Sequence, residues 1–352
     1  MPAFFNHAGT FKLPKSLAVR INGTWTAVER FYLRHAGVWQ LHYQNEIVVT
    51  LSNRSTFLYL KSLFTADDWA STKKKRVVIP AGAELGTNTS FAVAISATAD
   101  GQATSWGGDL IIENHGTISG IGGALSSGQG GDAIYANLSG RTSQKLIVNN
   151  FGTLRGGGGG GGRGGNGGPG QYLYDHREPS SGWYGSWGSL AYAWAYGSTG
   201  NNWYEYINWN GSQIWYQEFP SPPGISSINL GGWDYLKGPT ISGQGYDQVA
   251  RVQARWQPTS GGVAGSAGRG QGFDGAATAG AGAVAGGLNA GSSGKSGDGG
   301  AWGTQGQGGA NGTSGNVGAG ASGATGGIAG AYLNGSGNTV FTNSGSVVGR
   351  IV

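Results

Sequence analysis

Aromatic side chains dominate the chemistry of this sequence. Residues 171–258 hold eight of the 13 Trp residues and ten of the 15 Tyr residues, together with Phe219. Tyr and Trp combined with Ser, Gly and Asn are typical of recognition surfaces, because rings provide a large contact area at low entropy cost. The segment therefore predicts non-covalent binding, with about half of its rings in a local core and half at the surface.

The candidate binding residues are aromatic residues of this segment together with one Trp from a later loop. They are Tyr184, Trp187, Tyr192, Trp194, Tyr196, Trp203, Tyr204, Tyr206, Trp209, Trp215, Tyr216, Trp233, Tyr235 and Trp302.

Catalytic chemistry has little support in the sequence. Cys is absent and the five His residues are scattered, without the spacing of a zinc site. Lys295 follows a Gly inside a glycine repeat, and not at the strand-to-helix turn of a phosphate loop. The carboxylates Asp109, Glu113 and Asp132 leave a glycosidase as a minor alternative. We expect no enzyme activity, no metal and no cofactor.

Basic residues are concentrated near the start of the chain. Residues 1–76 carry eleven Lys/Arg against four Asp/Glu. The run Lys73–Arg76 precedes a strand and predicts a solvated edge. Arg155 and Arg163 lie in a polyglycine run like that of RNA-binding segments, but aromatic residues are not interleaved with them, so we expect no nucleic-acid partner. With no apolar run near the ~20 residues of a membrane span, we expect no membrane insertion.

Two tight turns lie in the first 50 residues. Asn22-Gly23 precedes Trp25, and Ala36-Gly37 precedes Trp39. Asn-Gly supplies the positive φ angles of a hairpin turn. The pattern predicts two small hairpins, each with its Trp packed against a neighbour in a small β core.

A strand motif occurs three times. Leu110–Gly120, Leu146–Gly156 and Thr339–Gly349 share an apolar strand, Asn, any residue, Gly, Thr or Ser, and an apolar residue. Such rungs stack side by side in a β-solenoid. The third copy follows the second by 193 residues, so the chain leaves a β platform near 156 and returns near 338.

Glycine recurs at every third position within that excursion. The period covers Gly291, Gly294, Gly297, Gly300, Gly303, Gly306, Gly309, Gly312, Gly315 and Gly318, and earlier Gly158, Gly161, Gly164, Gly167 and Gly170. Three residues per turn is the period of a polyproline-II helix, and glycine leaves one face bare. Bare faces allow backbones to hydrogen-bond to one another. The pattern favours a bundle of such helices over the disorder that Gly/Ser composition alone would predict.

These features predict a mainly β chain in four parts. Residues 1–50 form attachment hairpins, and residues 51–155 a β-rich, solenoid-like platform. Residues 156–337 form a glycine-rich polyproline-II bundle that carries the aromatic insertion 171–258. Residues 338–352 return a strand to the platform.

The platform-to-glycine junction resembles a known family. Residues Ile147–Gly156, running into Gly157–Gly162, are similar to the entry of the glycine-rich domain in tail-fibre tip adhesins of T-even-like bacteriophages. The resemblance covers roughly 105–170 and 260–349. It implies a sandwich of polyglycine-II helices whose distal loops bind an outer-membrane protein or lipopolysaccharide. The long aromatic insertion and the N-terminal part depart from that family's pattern.

The resemblance implies a receptor-binding protein at a phage tail or fibre tip. Other tail, fibre or baseplate proteins would be its virion partners, with Trp25 and Trp39 as candidate attachment residues. The N-terminus lacks the features of a signal peptide, so we expect synthesis in the host cytoplasm. A structural tail-tip or baseplate component, with the aromatic segment as a subunit interface, is the alternative. An ice-binding protein is a third possibility, which the mixed residues between the glycines do not favour.

Overall fold

A computed structural model describes residues 5–7, 10–12, 18–28, 30–88, 91–96, 106–138, 144–180, 182–186, 189, 191–199, 202–242 and 245–352. The fold is mainly β, as the sequence predicts. The chain separates into two compact units. Unit 1 comprises Met1–Gly168 and Gly261–Val352, and unit 2 comprises Pro169–Ser260. The four-part division given above stays a prediction.

The first six strands form three antiparallel hairpins. They are β1 (Phe5–His7), β2 (Thr10–Lys12), β3 (Ala18–Ile21), β4 (Thr24–Ala27), β5 (Arg30–His35) and β6 (Val38–Gln44). Asn22 and Gly23 have φ of 49° and 86°, and Ala36 and Gly37 have φ of 47° and 83°. The turns are therefore the positive-φ turns that the dipeptides indicate.

The packing predicted for the two hairpin Trp residues is wrong. Trp25 is 71% exposed and Trp39 is 66% exposed. Each lies on a two-stranded sheet, opposite Arg20 and Arg34 respectively. A two-stranded ribbon has no second layer of its own to cover a ring, so both rings stay open.

Strands β7 to β16 follow in unit 1, with one short helix between β8 and β9 in the sequence. They are β7 (Glu46–Thr50), β8 (Leu58–Tyr59), β9 (Lys74–Ile79), β10 (Glu84–Leu85), β11 (Phe91–Ser96), β12 (Leu110–Asn114), β13 (Thr117–Ser119), β14 (Asp132–Asn137), β15 (Leu146–Asn150) and β16 (Thr153–Arg155). A 3-10 turn spans Leu60–Leu63, and helix α1 spans Ala66–Ala70.

Unit 2 contains seven antiparallel strands. They are β17 (Gly170–Glu178), β18 (Ala193–Thr199), β19 (Asn202–Trp209), β20 (Ser212–Phe219), β21 (Ser227–Leu230), β22 (Trp233–Ile241) and β23 (Tyr246–Thr259). Their order in the sheet is β20-β19-β18-β23-β22-β21, and β17 also pairs with β23. The long strand β23 thus pairs with three others.

Four more strands of unit 1 follow the glycine segments. They are β24 (Ala331–Asn334), β25 (Thr339–Asn343), β26 (Ser346–Val348) and β27 (Arg350–Ile351), with a 3-10 turn at Ser336–Asn338. Three parallel sheets result, ordered β25-β15-β12-β9-β7, β10-β13-β16-β26 and β27-β24-β14-β11-β8. Successive passes of the chain add one strand to each sheet. Between them lies a core of buried side chains such as Leu58, Val77, Ile112, Val148 and Leu333.

The three sequence repeats pair with one another in register. Leu110 lies opposite Leu146, which lies opposite Thr339. The shared Asn residues therefore stack. Asn114 Nδ2 donates to Asn150 Oδ1 at 2.7 Å, and Asn150 Nδ2 donates to Asn343 Oδ1 at 2.7 Å. A buried amide needs such a partner, which explains why Asn recurs at this position.

The Lys73–Arg76 run is not the solvated edge that its charge predicts. The Lys75 side chain is fully buried, and its ammonium donates to the carbonyls of Ser71 (2.8 Å), Lys73 (3.0 Å) and Gly107 (2.5 Å). Strand β9 alternates buried and half-buried residues. Lys75 occupies an inward position of that alternation, where it satisfies three carbonyl groups at once.

Replacing Lys75 with Met should lower the free energy of unfolding of unit 1 by about 3 kcal/mol, because three carbonyls lose a charged donor. Thermal unfolding followed by far-UV circular dichroism measures the loss. The matched control is Lys145→Met, at an exposed position. Equal melting of the two variants would show that Lys75 contributes no more than a surface lysine.

Glycine segments of unit 1 hydrogen-bond to one another through their backbones. The central segment, 156–168, donates at every third residue to the same neighbour. Gly159, Gly162, Gly165 and Gly168 donate to the carbonyls of Thr304, Gln307, Ala310 and Thr313 at 2.8–2.9 Å. Gly158 and Gly161 donate to Gln271 and Gly268, and Gly157 and Gly160 donate to Gly131 and Gly128.

The central segment has no room for side chains where neighbours surround it. A Cβ at Gly158, Gly161, Gly164 or Gly167 would overlap the carbonyl oxygen of Gly300, Gly297, Gly294 or Gly291, respectively. The two arrays of regularly spaced glycines that the sequence reveals are therefore in direct contact. Glycine is required there by the closeness of the backbones.

Replacing Gly161 with Ala should destabilise unit 1 by about 3 kcal/mol or prevent its folding, because the new methyl group meets the rigid Gly297 backbone. Gly282→Ala is the matched control, since nothing lies within 4 Å of a Cβ at that position. Soluble yield and melting temperature are the measurements. A Gly161→Ala protein that melts with the Gly282→Ala protein would contradict the close packing.

Candidate functional site

The sheet of unit 2 separates its aromatic residues onto two faces. Strand alternation places Trp194 and Ile207 on one face, opposite each other on β18 and β19. These two residues are fully buried, with Tyr235 and Val249 beside them. The rings of Tyr184, Tyr192, Trp209, Trp215 and Trp233 pack against this cluster and stay partly buried. We call this side of the sheet the core face.

A buried group of charges lies on the core face. Glu205 and Asp247 are 1% and 4% exposed, and Lys237 Nζ contacts both, at 3.0 Å and 3.4 Å. Trp194 Nε1 donates to Glu205 Oε2 at 3.1 Å. Buried carboxylates are tolerated only when they are paired in this way, so Lys237 holds the centre of the sheet together.

A second cation lies between two indole rings on the same unit. The guanidinium carbon of Arg251 is 4.4 Å from the Trp209 ring centroid and 4.0 Å from that of Trp233. The group also donates to Glu178 Oε2 through Nε and Nη2, at 2.9 Å and 2.6 Å. This hydrogen bonding lowers the pKa of the Glu178 carboxyl. Trp209 and Trp233 are thus fixed by a cation, which limits their freedom to rearrange around a ligand.

The opposite face of the sheet carries three adjacent tyrosines. Tyr204 stacks beside Tyr206 and Tyr216, with ring centroids 6.3 Å and 6.1 Å apart. Tyr216 is 47% exposed, and its hydroxyl donates to Glu218 at 2.6 Å, which raises the pKa of the phenol. Gly197 on the neighbouring strand leaves space for the Tyr204 ring. We call Tyr204, Tyr206 and Tyr216 the tyrosine patch.

Sequence reasoning missed an exposed apolar pair elsewhere in unit 2. Trp256 on β23 is 59% exposed, and Leu173, directly opposite it on β17, is 53% exposed. Large apolar side chains that face solvent together indicate a contact surface. The alternation of residues 171–177 was the available signal, since it places Leu173 on the other side of its strand from Tyr172 and Tyr174.

The structure divides the predicted binding residues into several groups. Tyr216 of the tyrosine patch is exposed and its Tyr204 and Tyr206 are half-buried, whereas Trp194 and Tyr235 are buried, which corrects the assignment of these two as direct contacts. The remaining rings of unit 2 are half-buried: Tyr184, Tyr192, Tyr196, Trp203, Trp209, Trp215 and Trp233. Trp187 lies outside the described residues.

Trp302 belongs to unit 1, and its ring lies under a cation. Its ring centroid is 4.0 Å from the guanidinium carbon of Arg155, which also pairs with Glu84 at 2.7 Å. Trp302 therefore helps to fix the start of the glycine segment, and its part in binding stays a prediction. Arg163, the other arginine of the polyglycine run, donates to the Ala264 carbonyl at 2.8 Å.

Within the part of the chain that the structure describes, no three His, Asp or Glu side chains lie close enough together to hold a metal ion. No described helix has the length and apolarity needed to cross a membrane.

Replacing Lys237 with Met should lower the free energy of unfolding of unit 2 by about 3–5 kcal/mol, because Glu205 and Asp247 would remain buried without a cation. The near-UV circular dichroism signal from the Trp residues of unit 2 should be lost at a lower temperature than in the wild type. Lys295→Met is the control, because the Lys295 side chain is 57% exposed. Adding Glu205→Gln to Lys237→Met should recover part of the loss, and no recovery would contradict the electrostatic cause.

One protein family matches the chain. The family described as "Phage tail fibre adhesin Gp38" matches residues 45–218, a span of just under half of the chain. The matched span covers strands β7 through β19 and most of β20. Comparison with curated proteins and with solved structures gives no match. Over this span the chain is similar to phage tail-fibre adhesins.

Proposed function

We propose that this protein is a receptor-binding adhesin at the tip of a phage tail fibre, of the kind found in T-even-like phages. The single observation that carries the proposal is the adhesin-family match over residues 45–218. Exposed rings on unit 2 supply a surface suited to this function. The receptor would be an outer-membrane protein or lipopolysaccharide of the host. Several copies on one virion would raise the overall avidity.

The glycine segments would act as the rigid frame of the adhesin. Hydrogen bonds from every third residue of 156–168 to one neighbour support a polyglycine-II arrangement, since that helix has three residues per turn. The three parallel sheets would form a solenoid-like platform at the base of the frame. Backbone-to-backbone bonding gives stiffness without a large apolar core.

Receptor contact would come chiefly from the tyrosine patch and from the pair Trp256 and Leu173. Tyr216, Trp256 and Leu173 combine exposure with fixed strand positions, so binding orders few rotamers. The loops 121–134 and 301–305 of unit 1 would contribute secondary contacts. The half-buried rings of the core face would pack on the other side of the sheet and keep its strands in place.

The N-terminal hairpins would attach the adhesin to the rest of the fibre. Trp25 and Trp39 support this role because both rings are open, each opposite an Arg on its own hairpin. Exposed Trp and Arg are typical anchors of protein interfaces. The partners would be other tail, fibre or baseplate proteins.

Purified protein should bind susceptible Gram-negative cells and block infection by the parent phage. The double variant Tyr216→Ala and Trp256→Ala should block at least tenfold less well, because two exposed anchors worth about 1–2 kcal/mol each are removed. Gln213→Ala, an exposed change on β20, is the matched control. Adsorption inhibition, measured as surviving plaque-forming units against protein concentration, gives the comparison.

Two outcomes would contradict this proposal at different levels. Unchanged blocking by the double variant would show that the binding surface does not lie at these residues of unit 2. The adhesin function itself would still stand. A folded wild-type protein that binds no susceptible cells would favour a structural tail component, with the aromatic residues of unit 2 as a subunit interface.

A further inference from the structure

A cavity of about 310 Å³ opens in unit 1, on sheet β27-β24-β14-β11-β8 and beside the glycine segments. Its size is at the lower end of the range for small-molecule sites, about 300–1,000 Å³. The side chains that matter to its chemistry are those of Phe91, Gln129, Asp132, Tyr135, Asn334 and Arg350. Gln129 and Asp132 lie within 121–134, and the other four residues have no role in the recognition surface described above.

Two aromatic rings form one wall of this cavity. Phe91 on β11 and Tyr135 on β14 stack with centroids 4.3 Å apart and ring planes 14° apart. Stacking fixes both rings in place, and both stay partly exposed to the cavity. A flat apolar wall of this kind suits a ligand that has a flat face of C–H groups.

A buried carboxylate lies next to the rings. Asp132 is 7% exposed and accepts from Ala331 N at 2.6 Å and from Asn334 Nδ2 at 2.7 Å, one donor to each oxygen. Each carboxylate oxygen can accept a further hydrogen bond. Burial raises the pKa of the Asp132 carboxyl, so a ligand hydroxyl that donates to it would replace solvation that folding removed.

Two donor side chains, Arg350 and Gln129, also line the cavity. Arg350 Nε donates to the Ala329 carbonyl at 2.9 Å, which positions the guanidinium. Its Nη atoms have no hydrogen-bond partner among the residues that the structure describes. Gln129 is exposed at the cavity and adds an amide that both donates and accepts. One carboxylate and one guanidinium balance each other, so the site favours a neutral ligand over an ion.

Other ligand classes fit these groups less well. A peptide strand would need free backbone groups, but β14 lies between β11 and β24 and is paired on both sides. A purely apolar ligand would cover Asp132 without giving it a donor, which is costly. A phosphate would lie against a carboxylate.

We propose that this cavity binds one neutral sugar residue, of the hexose type, from a glycan on the host cell surface. The sugar's C–H face would lie on the Phe91–Tyr135 wall, with its hydroxyls donating to Asp132 and accepting from Arg350 and Gln129. The identity of the glycan as a host component rests on the proposed adhesin function, whereas the sugar site itself does not. The cavity would act as a second contact, independent of the tyrosine patch.

Saturation-transfer NMR on the full chain tests the proposal, with the methyl glycosides of glucose, galactose and N-acetylglucosamine as probes. At least one glycoside should bind. Tyr135→Ala should weaken that binding at least tenfold, and Tyr135→Phe should change it less than twofold, because it keeps the ring. Phe151→Ala is the matched control, since Phe151 is an exposed ring of unit 1 that does not line the cavity.

Melting temperatures show whether each variant is folded. Should Tyr135→Ala fail to fold, Arg350→Gln and Gln129→Ala are surface changes that should each weaken the same glycoside at least threefold. The proposal is overturned if no glycoside binds the wild type, or if the folded cavity variants bind as it does. Adenosine binding that depends on Tyr135, without glycoside binding, would also overturn it and would indicate a base-stacking site.

Infection blocking, measured in parallel, separates this proposal from the proposed function. Blocking without glycoside binding leaves the adhesin function standing and overturns the sugar site. Glycoside binding that Tyr135→Ala removes, in a protein that blocks nothing, supports the sugar site and contradicts the adhesin function.

Discussion

The rest of unit 1 depends on how closely backbones approach one another around the segment 156–168. Each glycine of that segment faces a neighbouring segment of the chain at a distance that excludes a Cβ. This close approach allows most of the segment's backbone N–H groups to donate a hydrogen bond to a carbonyl of a neighbouring segment. A backbone with no helical or sheet partners would otherwise leave these groups unsatisfied. The close approach of backbones is therefore both the reason that glycine is required and the source of the stabilising hydrogen bonds.

The same constraint explains where glycine is not needed. Arg163 and Asn166 follow Gly157 and Gly160 at intervals of three residues and so lie on the same side of the segment. The neighbouring segment on that side turns away at Ser126 and Ser127, before it reaches them. Both side chains are exposed, and each bonds to Ala264, Arg163 through its guanidinium and Asn166 through Oδ1. Outer segments such as 291–318 have close neighbours on fewer sides, so one glycine in three is enough.

Sequence reasoning succeeded where one residue type has one structural meaning. The Asn of the three repeats marks a ladder of amide side chains, and these repeats led to the correct pairing of β12, β15 and β25. The regularly spaced glycines mark positions where only a backbone without a side chain fits. Aromatic residues carry no such meaning. Trp194 is buried and Trp256 is exposed, although both lie in strands with polar and small neighbours. Which face of a strand is covered depends on distant strands, which no local pattern specifies. Lys75 was misjudged for the same reason, since the burial of its strand face depends on distant strands and one of its three carbonyl partners, Gly107, comes from a separate loop.

The junction between the two units has a further physical consequence. Gly167 N donates to the Gly262 carbonyl at 2.8 Å, so the two places where the chain leaves and re-enters unit 1 are hydrogen-bonded to each other. An insertion between adjacent, bonded residues adds no strain to the frame, whatever its length. The register of the glycine segments is fixed on both sides of this point by their own contacts. Unit 2 can therefore change its sequence without disturbing the packing that holds unit 1 together, whereas a change within 156–168 disturbs several neighbouring segments at once.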